Sequence, residues 1–263
     1  MSEAHTFLAK VTPVMLTFDE APNVRRSLSK LTEFREVLVI DSGSQDGTLS
    51  ILSEFPNVRV VTRSFDSFAS QWNFAMGCEI ETEWALGIDA DYILTDGFLS
   101  ELASLNPSAE TVAYKVRFTY CVFGRELSGT LYPPLVALHR HRLVHYVQDG
   151  HCMRAQIAGK VGNIAAPIQH DDRKPLDRWL KSQCRYAEEE AELLLSRDLS
   201  SLTLKDRIRK MVVISPWLVP LYCLSVGRGF LDGWPGIFYA LQRGVAEAIL
   251  GLKLIEARLY KRS

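Results

Sequence analysis

Four short apolar runs in the first hundred residues, PVMLTF, EVLVID, VRVVTR and WALGID, alternate with segments whose apolar residues recur at helical spacing. Val24, Leu28 and Leu31 form one such set, and Phe68, Trp72, Ala75 and Met76 another. The runs are rich in Val, Leu and Ile and bounded by turn formers, as strands are. Alternation of this kind predicts a parallel, doubly wound sheet, and such sheets bind ligands outside the carboxyl ends of their strands. The polar residues that follow each run therefore share one rim.

That rim is acidic. In WALGIDADYILTD a run ends on Asp89 and Asp91. Two carboxylates at i and i+2 of an extended segment point to the same side, about 6 to 7 Å apart. They repel unless positive charge sits between them. A divalent cation meets that need, since Mg²⁺ is typically held by one or two carboxylates plus substrate phosphates. The same residues also suit a strand end and the start of a helix, where Asp96 reads as an N-cap. One strand earlier, EVLVIDSGSQDGT places Asp41 ahead of Ser42, Gly43, Ser44, Asp46 and Gly47. Such a loop offers backbone N–H groups to a ligand, and its acid can accept from a nucleobase imide or a ribose hydroxyl. Asp46 equally reads as the cap of a plain turn. Neither G-x-x-x-x-G-K-[ST] nor G-x-G-x-x-G occurs.

From residue 111 the period drops to two. Val112, Tyr114, Val116, Phe118, Tyr120 and Val122 alternate with Ala113, Lys115, Arg117, Thr119 and Cys121, which predicts a long strand with one face on the core. PPLVALHR continues the sheet. A helix is expected from Pro175, with Leu176, Leu180, Cys184 and Ala187 as its buried stripe and the three glutamates 188–190 facing water. After residue 200 the basic KDRIRK precedes MVVISPWLVPLYCLSV, apolar but broken by Pro216 and Pro220 and too short for the roughly 20 residues of a spanning helix. A last amphipathic helix carries Ile237, Leu241, Val245, Ala248, Ile249, Leu252, Ile255 and Leu259 near one stripe. The expected division is one domain over 1–199, with a first half to about 110 and a second from 111, and a helical extension over 200–263.

Composition removes several function classes. A net charge of −1 gives no bulk electrostatic case for nucleic acid. Cys78, Cys121, Cys152, Cys184 and Cys223 are scattered and never form a C-x-x-C pair, against both a disulfide framework and a zinc cluster and in favour of a reducing compartment. MSEAHTFLAKV lacks the pattern of a secretory signal, so nucleotide pools are within reach. In the tail, Lys205, Arg207, Arg209 and Lys210 before an apolar segment, with Trp217 and Trp234, suit a helix lying in a membrane interface. The competing arrangement is a helical pair packed on protein, and the sequence also permits a homo-oligomer.

Taken together, LTFDEAPNVRRSLSKL, VLVIDSGSQDGTLSI, SQWNFAMG and EWALGIDADYIL, in that order and spacing, resemble a family 2 glycosyltransferase of the GT-A fold over roughly residues 11–105. GRELSGTLYPP, DGH and IQHDD extend a looser likeness to about residue 190. The nearest branch is that of the bacterial lipopolysaccharide-core and exopolysaccharide enzymes. The resemblance implies a GT-A, Rossmann-like mixed α/β sheet with a C-terminal helical, membrane-associated extension. It implies transfer of a sugar from a nucleotide-diphosphate donor, a UDP-sugar being favoured, to a lipid-linked or cell-envelope glycan at the cytoplasmic face of the bacterial inner membrane.

It also implies roles. Thr17 and Glu20 line the nucleoside, with Asp19 and Ala21 replacing the family's usual asparagine and acid. Asp41 binds the base, for which uracil and guanine both suit. Asn73 helps hold the diphosphate or ribose, although Trp72 replaces the basic residue often beside it. Asp89 holds the diphosphate, and Asp91 with His170 binds Mg²⁺ or Mn²⁺; Tyr92 stands where many relatives have glutamate. Asp149 in YVQDGH is the general base of an inverting transfer, in competition with a turn-forming Asp-Gly role. His151 is a second choice of histidine, and Asp171 and Asp172 are alternative acids. Arg117, Arg125, Arg140 and Lys181 are cations for an anionic acceptor or plain surface charges. Two rivals remain: a sugar nucleotidyltransferase, whose glycine-rich basic opening is absent, and a catalytically inactive relative acting as a membrane-bound partner.

Overall fold

All four apolar runs form strands: β1 (Val11–Thr17), β2 (Val37–Asp41), β3 (Val58–Thr62) and β4 (Trp84–Asp89). Between them lie α1 (Val24–Leu28), α2 (Thr48–Leu52) and α3 (Phe68–Gly77). After β4 come β5 (Tyr92–Leu94), α4 (Asp96–Ala103), β6 (Thr111–Val122), the two-residue β7 (Arg125–Glu126), β8 (Leu135–Arg140), β9 (Val144–Asp149), β10 (Cys152–Ile157) and β11 (Lys160–His170). Four helices follow: α5 (Leu176–Ser196), α6 (Leu204–Lys210), α7 (Ser215–Leu224) and α8 (Trp234–Tyr260). The computed structural model describes residues 6–149, 152–198, 200 and 202–260. Two compact units result, Met1–Cys121 with Tyr132–Arg173, and Val122–Leu131 with Lys174–Ser263.

The first unit holds a mixed sheet in the order β3-β2-β1-β4-β8-β6-β11-β5. The β3-β2-β1-β4 half is parallel, as the alternation predicts. Beyond it β8 runs antiparallel to both β4 and β6, and β5 antiparallel to β11. Successive side chains of a strand face opposite ways, so alternate residues feed two cores. Met15, Trp84, Leu86 and Ile88 pack with Leu28, Phe98 and Leu102. Val14, Leu38, Ile40 and Ala85 pack with Ala69, Trp72 and Ala75 of α3. A strand buried on both faces needs no polar alternation, which is why these runs are continuously apolar. Register sets the rim: Thr17 lies opposite Asp41, and Leu16 opposite Asp89. A separate two-stranded sheet, β9 with β10, leans on α3 through Val144 and Tyr146.

Several local expectations need correction. Thr95, not Asp96, caps α4: its hydroxyl accepts from Phe98 N, and Asp96 is the first helical residue. In α5 the buried face is Ala187, Glu190, Ala191 and Leu194, while Leu176, Leu180 and Cys184 are exposed. Glu190 is buried because Arg209 of α6 pairs with it at 2.6 Å, and a charge can leave water only with such a partner. Ala187, Ala191 and Leu194 share a core with Leu250 and Leu254 of α8. The compact units part at Arg173/Lys174. In α8 the buried residues include Gly236, Ala240, Gly244 and Gly251, whereas Leu241, Val245, Leu252, Ile255 and Leu259 stand outside. Close approach forces this: a Cβ on Gly244 would come within 2.6 Å of the Pro220 ring on α7.

His139 of β8 shows how far the first unit's core excludes water. It is fully buried, with Nε2 2.7 Å from the Tyr146 hydroxyl. Burial, aided by the nearby His141, pushes it down to about 4. The unfolded chain therefore takes up a proton near pH 6.5 that the native protein refuses, so stability is complete above that pH and is lost as pH falls towards 4. Urea denaturation should report a loss of about 2 kcal/mol from His139 between about pH 7 and pH 5. His139→Asn should remove most of that dependence.

Candidate active site

Asp41 is fully buried at the end of β2, and four donors meet its carboxylate. Oδ1 accepts from Thr17 Oγ1 at 3.0 Å and Ser44 Oγ at 2.6 Å; Oδ2 accepts from Gly43 N and Ser44 N, both at 2.9 Å. Gly43 has φ +90, a conformation that suits glycine and lets the chain fold back over the acid. One side chain thus ties the end of β1 to the loop after β2. The two loops are laced further. Asp19 N donates to Ser44 Oγ, Gln45 N to Asp19 Oδ1, Glu20 N to Thr48 Oγ1 and Ala21 N to Asp46 Oδ2. Asp19 thus serves as an acceptor for the loop after β2. Asp46 also accepts from Thr48 N at 2.9 Å, a turn just ahead of α2, whose N-cap position is Gly47.

A second lacing reaches across the rim to the end of β11. Asn23 Nδ2 donates at 2.9 Å to both Glu20 Oε2 and Asp172 Oδ1, while its Oδ1 accepts from Arg26 and from Arg173 N. Arg26 also donates to the Asp171 carboxylate at 2.7 Å and to its carbonyl at 2.8 Å. Asp171 is almost wholly buried, and Arg173 Nε reaches the same Oδ2 at 2.9 Å. Burial holds the Arg26 guanidinium below its usual value, against the pull of Asp171. Asp171 N donates to Asp91 O at 3.0 Å, bringing this network to the D-x-D segment. Asn23, Arg26 and Asp171 thus position the site.

The structure brings Asp91 and His170 together. His170 Nε2 is 3.3 Å from Asp91 Oδ2, and both side chains are largely buried. Register explains the meeting, because His170 pairs with Tyr92 of β5 and Tyr120 of β6. Three tyrosine rings enclose the imidazole, with centroids 5.2 Å (Tyr92), 4.8 Å (Tyr120) and 4.9 Å (Tyr132) away. Among the described residues its Nδ1 is buried with no hydrogen bond, so packing by these rings sets its orientation. Tyr92 bonds Tyr132 through their hydroxyls. Burial favours a neutral His170, yet Asp91, with Asp89 and Asp172, outweighs it and raises the imidazole above its ordinary value. Asp89 is the last residue of β4 and half-buried.

No three His, Cys, Asp or Glu side chains among the described residues converge closely enough to enclose an ion. A carboxylate and an imidazole side by side are still a partial donor set, and imidazole suits Mn²⁺ better than Mg²⁺. The residues present fit a cation that takes its remaining ligands from substrate phosphate and water.

The other expected site residues are spread differently. Asn73 Nδ2 donates to Tyr146 O and its Oδ1 accepts from Tyr146 N, both at 2.8 Å, so its amide pins α3 to β9. Asp149 ends β9, and its Oδ2 accepts from Arg154 at 2.6 Å in a solvent-exposed pair. His151 lies outside the described residues. Arg140 stacks on Trp84 and donates to Thr111 O, and Arg117 donates to Ala165 O, so both serve the sheet. A shallow concavity of about 430 Å³ at the root of the β9–β10 hairpin, lined by Arg142, His145 and Gln156 among others, includes none of the acids above.

The family model described as Glycosyl transferase family 2 matches residues 13–132. Among solved structures, the chain is similar to S. aureus TarS 1–349 in complex with UDP-GlcNAc, with a TM-score of 0.50 and 15% identity over 97% of this chain and 92% of that one. The same protein in complex with UDP gives 0.48 and 14% over the same shares. No curated protein matches the chain in sequence. At such identity the structural likeness is one of fold, and the family match covers the strands that carry Thr17, Asp41, Asp89 and Asp91. Residues 13–132 thus match a family 2 glycosyltransferase model, on a mixed α/β fold similar to that of the TarS structure.

Proposed function

We propose that the chain transfers a sugar, with inversion, from a UDP-linked donor to a hydroxyl of a lipid-linked or cell-envelope glycan, with the help of a divalent cation. The observation that carries this reading is the Asp91–His170 pair at 3.3 Å beside the laced loops of the rim. UDP-GlcNAc and UDP, bound by TarS in its solved complexes, favour the uridine donor. In this reading Thr17, Glu20 and the loop from Asp41 receive the nucleoside. Because Asp41 already takes four internal donors, it acts chiefly by shaping that loop, whose backbone meets the base. Asp91 and His170 would hold Mg²⁺ or Mn²⁺, with Asp89 near the diphosphate. When bound, the cation would offset the charge that builds up on the leaving diphosphate. Asn73 acts indirectly, by holding β9 against α3.

Asp149 serves as the base. As the acceptor oxygen bonds to the anomeric carbon and the bond to the diphosphate breaks, the hydroxyl proton passes to its carboxylate. Its ion pair with Arg154 orients the carboxylate. The five scattered cysteines, which suit a reducing compartment, agree with a reaction on the cytoplasmic side of the bacterial inner membrane.

Two variants separate these roles. Asp91→Asn should lower turnover of UDP-GlcNAc by about a thousandfold and abolish Mn²⁺-dependent binding of UDP, with an unchanged circular dichroism spectrum. Full turnover in that variant would remove Asp91 from the cation site. Asp149→Asn should lower kcat by about 10²- to 10⁴-fold while UDP affinity stays as in wild type. Steady-state kinetics beside calorimetric UDP titration would expose the alternative, an equal loss of both.

A further inference from the structure

We propose that the α7–α8 hairpin of the second unit seats on an anionic lipid surface. Its large side chains point the wrong way for a helical pair stabilised by its own core. On α7, Trp217, Leu218, Leu221 and Tyr222 are all exposed, and only Ser215 and Cys223 are buried. The connection to α8 exposes Val226, Phe230, Leu231 and Trp234. Trp217 and Trp234 are 79% and 81% exposed, more than any other apolar side chain described. On α8 the exposed Leu241, Val245, Leu252, Ile255 and Leu259 recur at steps of four, seven, three and four residues, a single helical stripe.

What the helices turn towards each other is small. Gly236, Ala240 and Gly244 lie on the buried side of α8, and Gly244 meets Pro216 and Pro220 of α7. Small residues inward and large apolar ones outward is how helices pack when lipid surrounds them. No helix among the described residues is long and apolar enough to cross a membrane. The arrangement fits a hairpin lying in the interface.

Charge names the occupant. Between residues 211 and 242 the sequence has only Arg228 and Asp232, and Asp232 accepts from Ser128 N at 2.9 Å. Lys205, Arg207 and Lys210 stand immediately before this stretch. Arg209 of the same helix is already paired with Glu190 and Glu247. A second copy of the chain would bring the same cations against themselves, whereas anionic headgroups bring the opposite sign. Exposed indoles beside such cations are the side chains that favour the headgroup zone.

The inference stands apart from the sugar-transfer reading, because its test contains neither nucleotide nor acceptor. The full chain is floated through a density gradient with vesicles of phosphatidylcholine plus phosphatidylglycerol, or of phosphatidylcholine alone. Wild type is expected to float with the anionic vesicles, to float less with the neutral ones, and to be released in part by high salt. W217S/W234S should partition roughly tenfold less with an unchanged circular dichroism spectrum, and K205E/K210E should lose the salt-sensitive part. The proposal is overturned if wild type stays at the bottom of the gradient, or if W217S/W234S floats equally well. It is also overturned if sedimentation without vesicles shows a wild-type dimer that W217S/W234S reduces to a monomer while neither floats.

Discussion

The acid at the end of β2 sets the geometry from which the site is built. A carboxylate with no solvent contact persists only where its acceptor positions are met, and Asp41 meets them with Thr17, Gly43 and Ser44. The bonds do two things at once. They fix the loop after β2, and they join that loop to the neighbouring strand, so the loop inherits the rigidity of the sheet. Asp19, Glu20 and Ala21 then attach to the same loop through their own backbone N–H groups.

From that anchor the order spreads by contact. Glu20 meets Asn23, Asn23 meets Asp172, and Arg26 clamps Asp171. Asp171 in turn bonds the backbone of Asp91, whose side chain faces His170. Segments some 150 residues apart in the chain share one polar network, each buried charge answered by another. Taking one member away would leave its partner desolvated, which costs more than the pair contributes. Positioning of the Asp91–His170 pair therefore depends on residues that need never touch a substrate.

Much of this was legible in the chain. Continuous apolar runs ending in acids gave the parallel half-sheet, its rim, and Asp41, Asp89 and Asp91 as neighbours there, because strand period and strand ends are local properties. Asn23 and Arg26 were not legible, since their partners lie at residues 171–173 and no local pattern encodes a contact across the sheet. Asn73 was read as a ligand-holding side chain, whereas its amide mimics a strand and completes the edge of β9. The α5 stripe was misplaced because periodicity finds an apolar face without saying how much of it is covered: only the half that meets α8 is buried.

The same gap between pattern and cover explains the last helix. Residue spacing along α8 gives one apolar stripe, but packing density obeys backbone distance before side-chain size. Where glycines let two helices touch, the closest faces win the interior, and Leu241, Val245 and Leu252 are left outside. In water that exposure is costly, at about 25 cal/mol for each Å² of apolar surface. A chain that keeps Trp217 and Trp234 at such positions while spending its glycines on the helix contact has a surface suited to a medium less polar than water. For an enzyme whose donor is soluble and whose proposed acceptor is lipid-linked, attachment by one unit and chemistry by the other divides those two demands between separate parts of one chain.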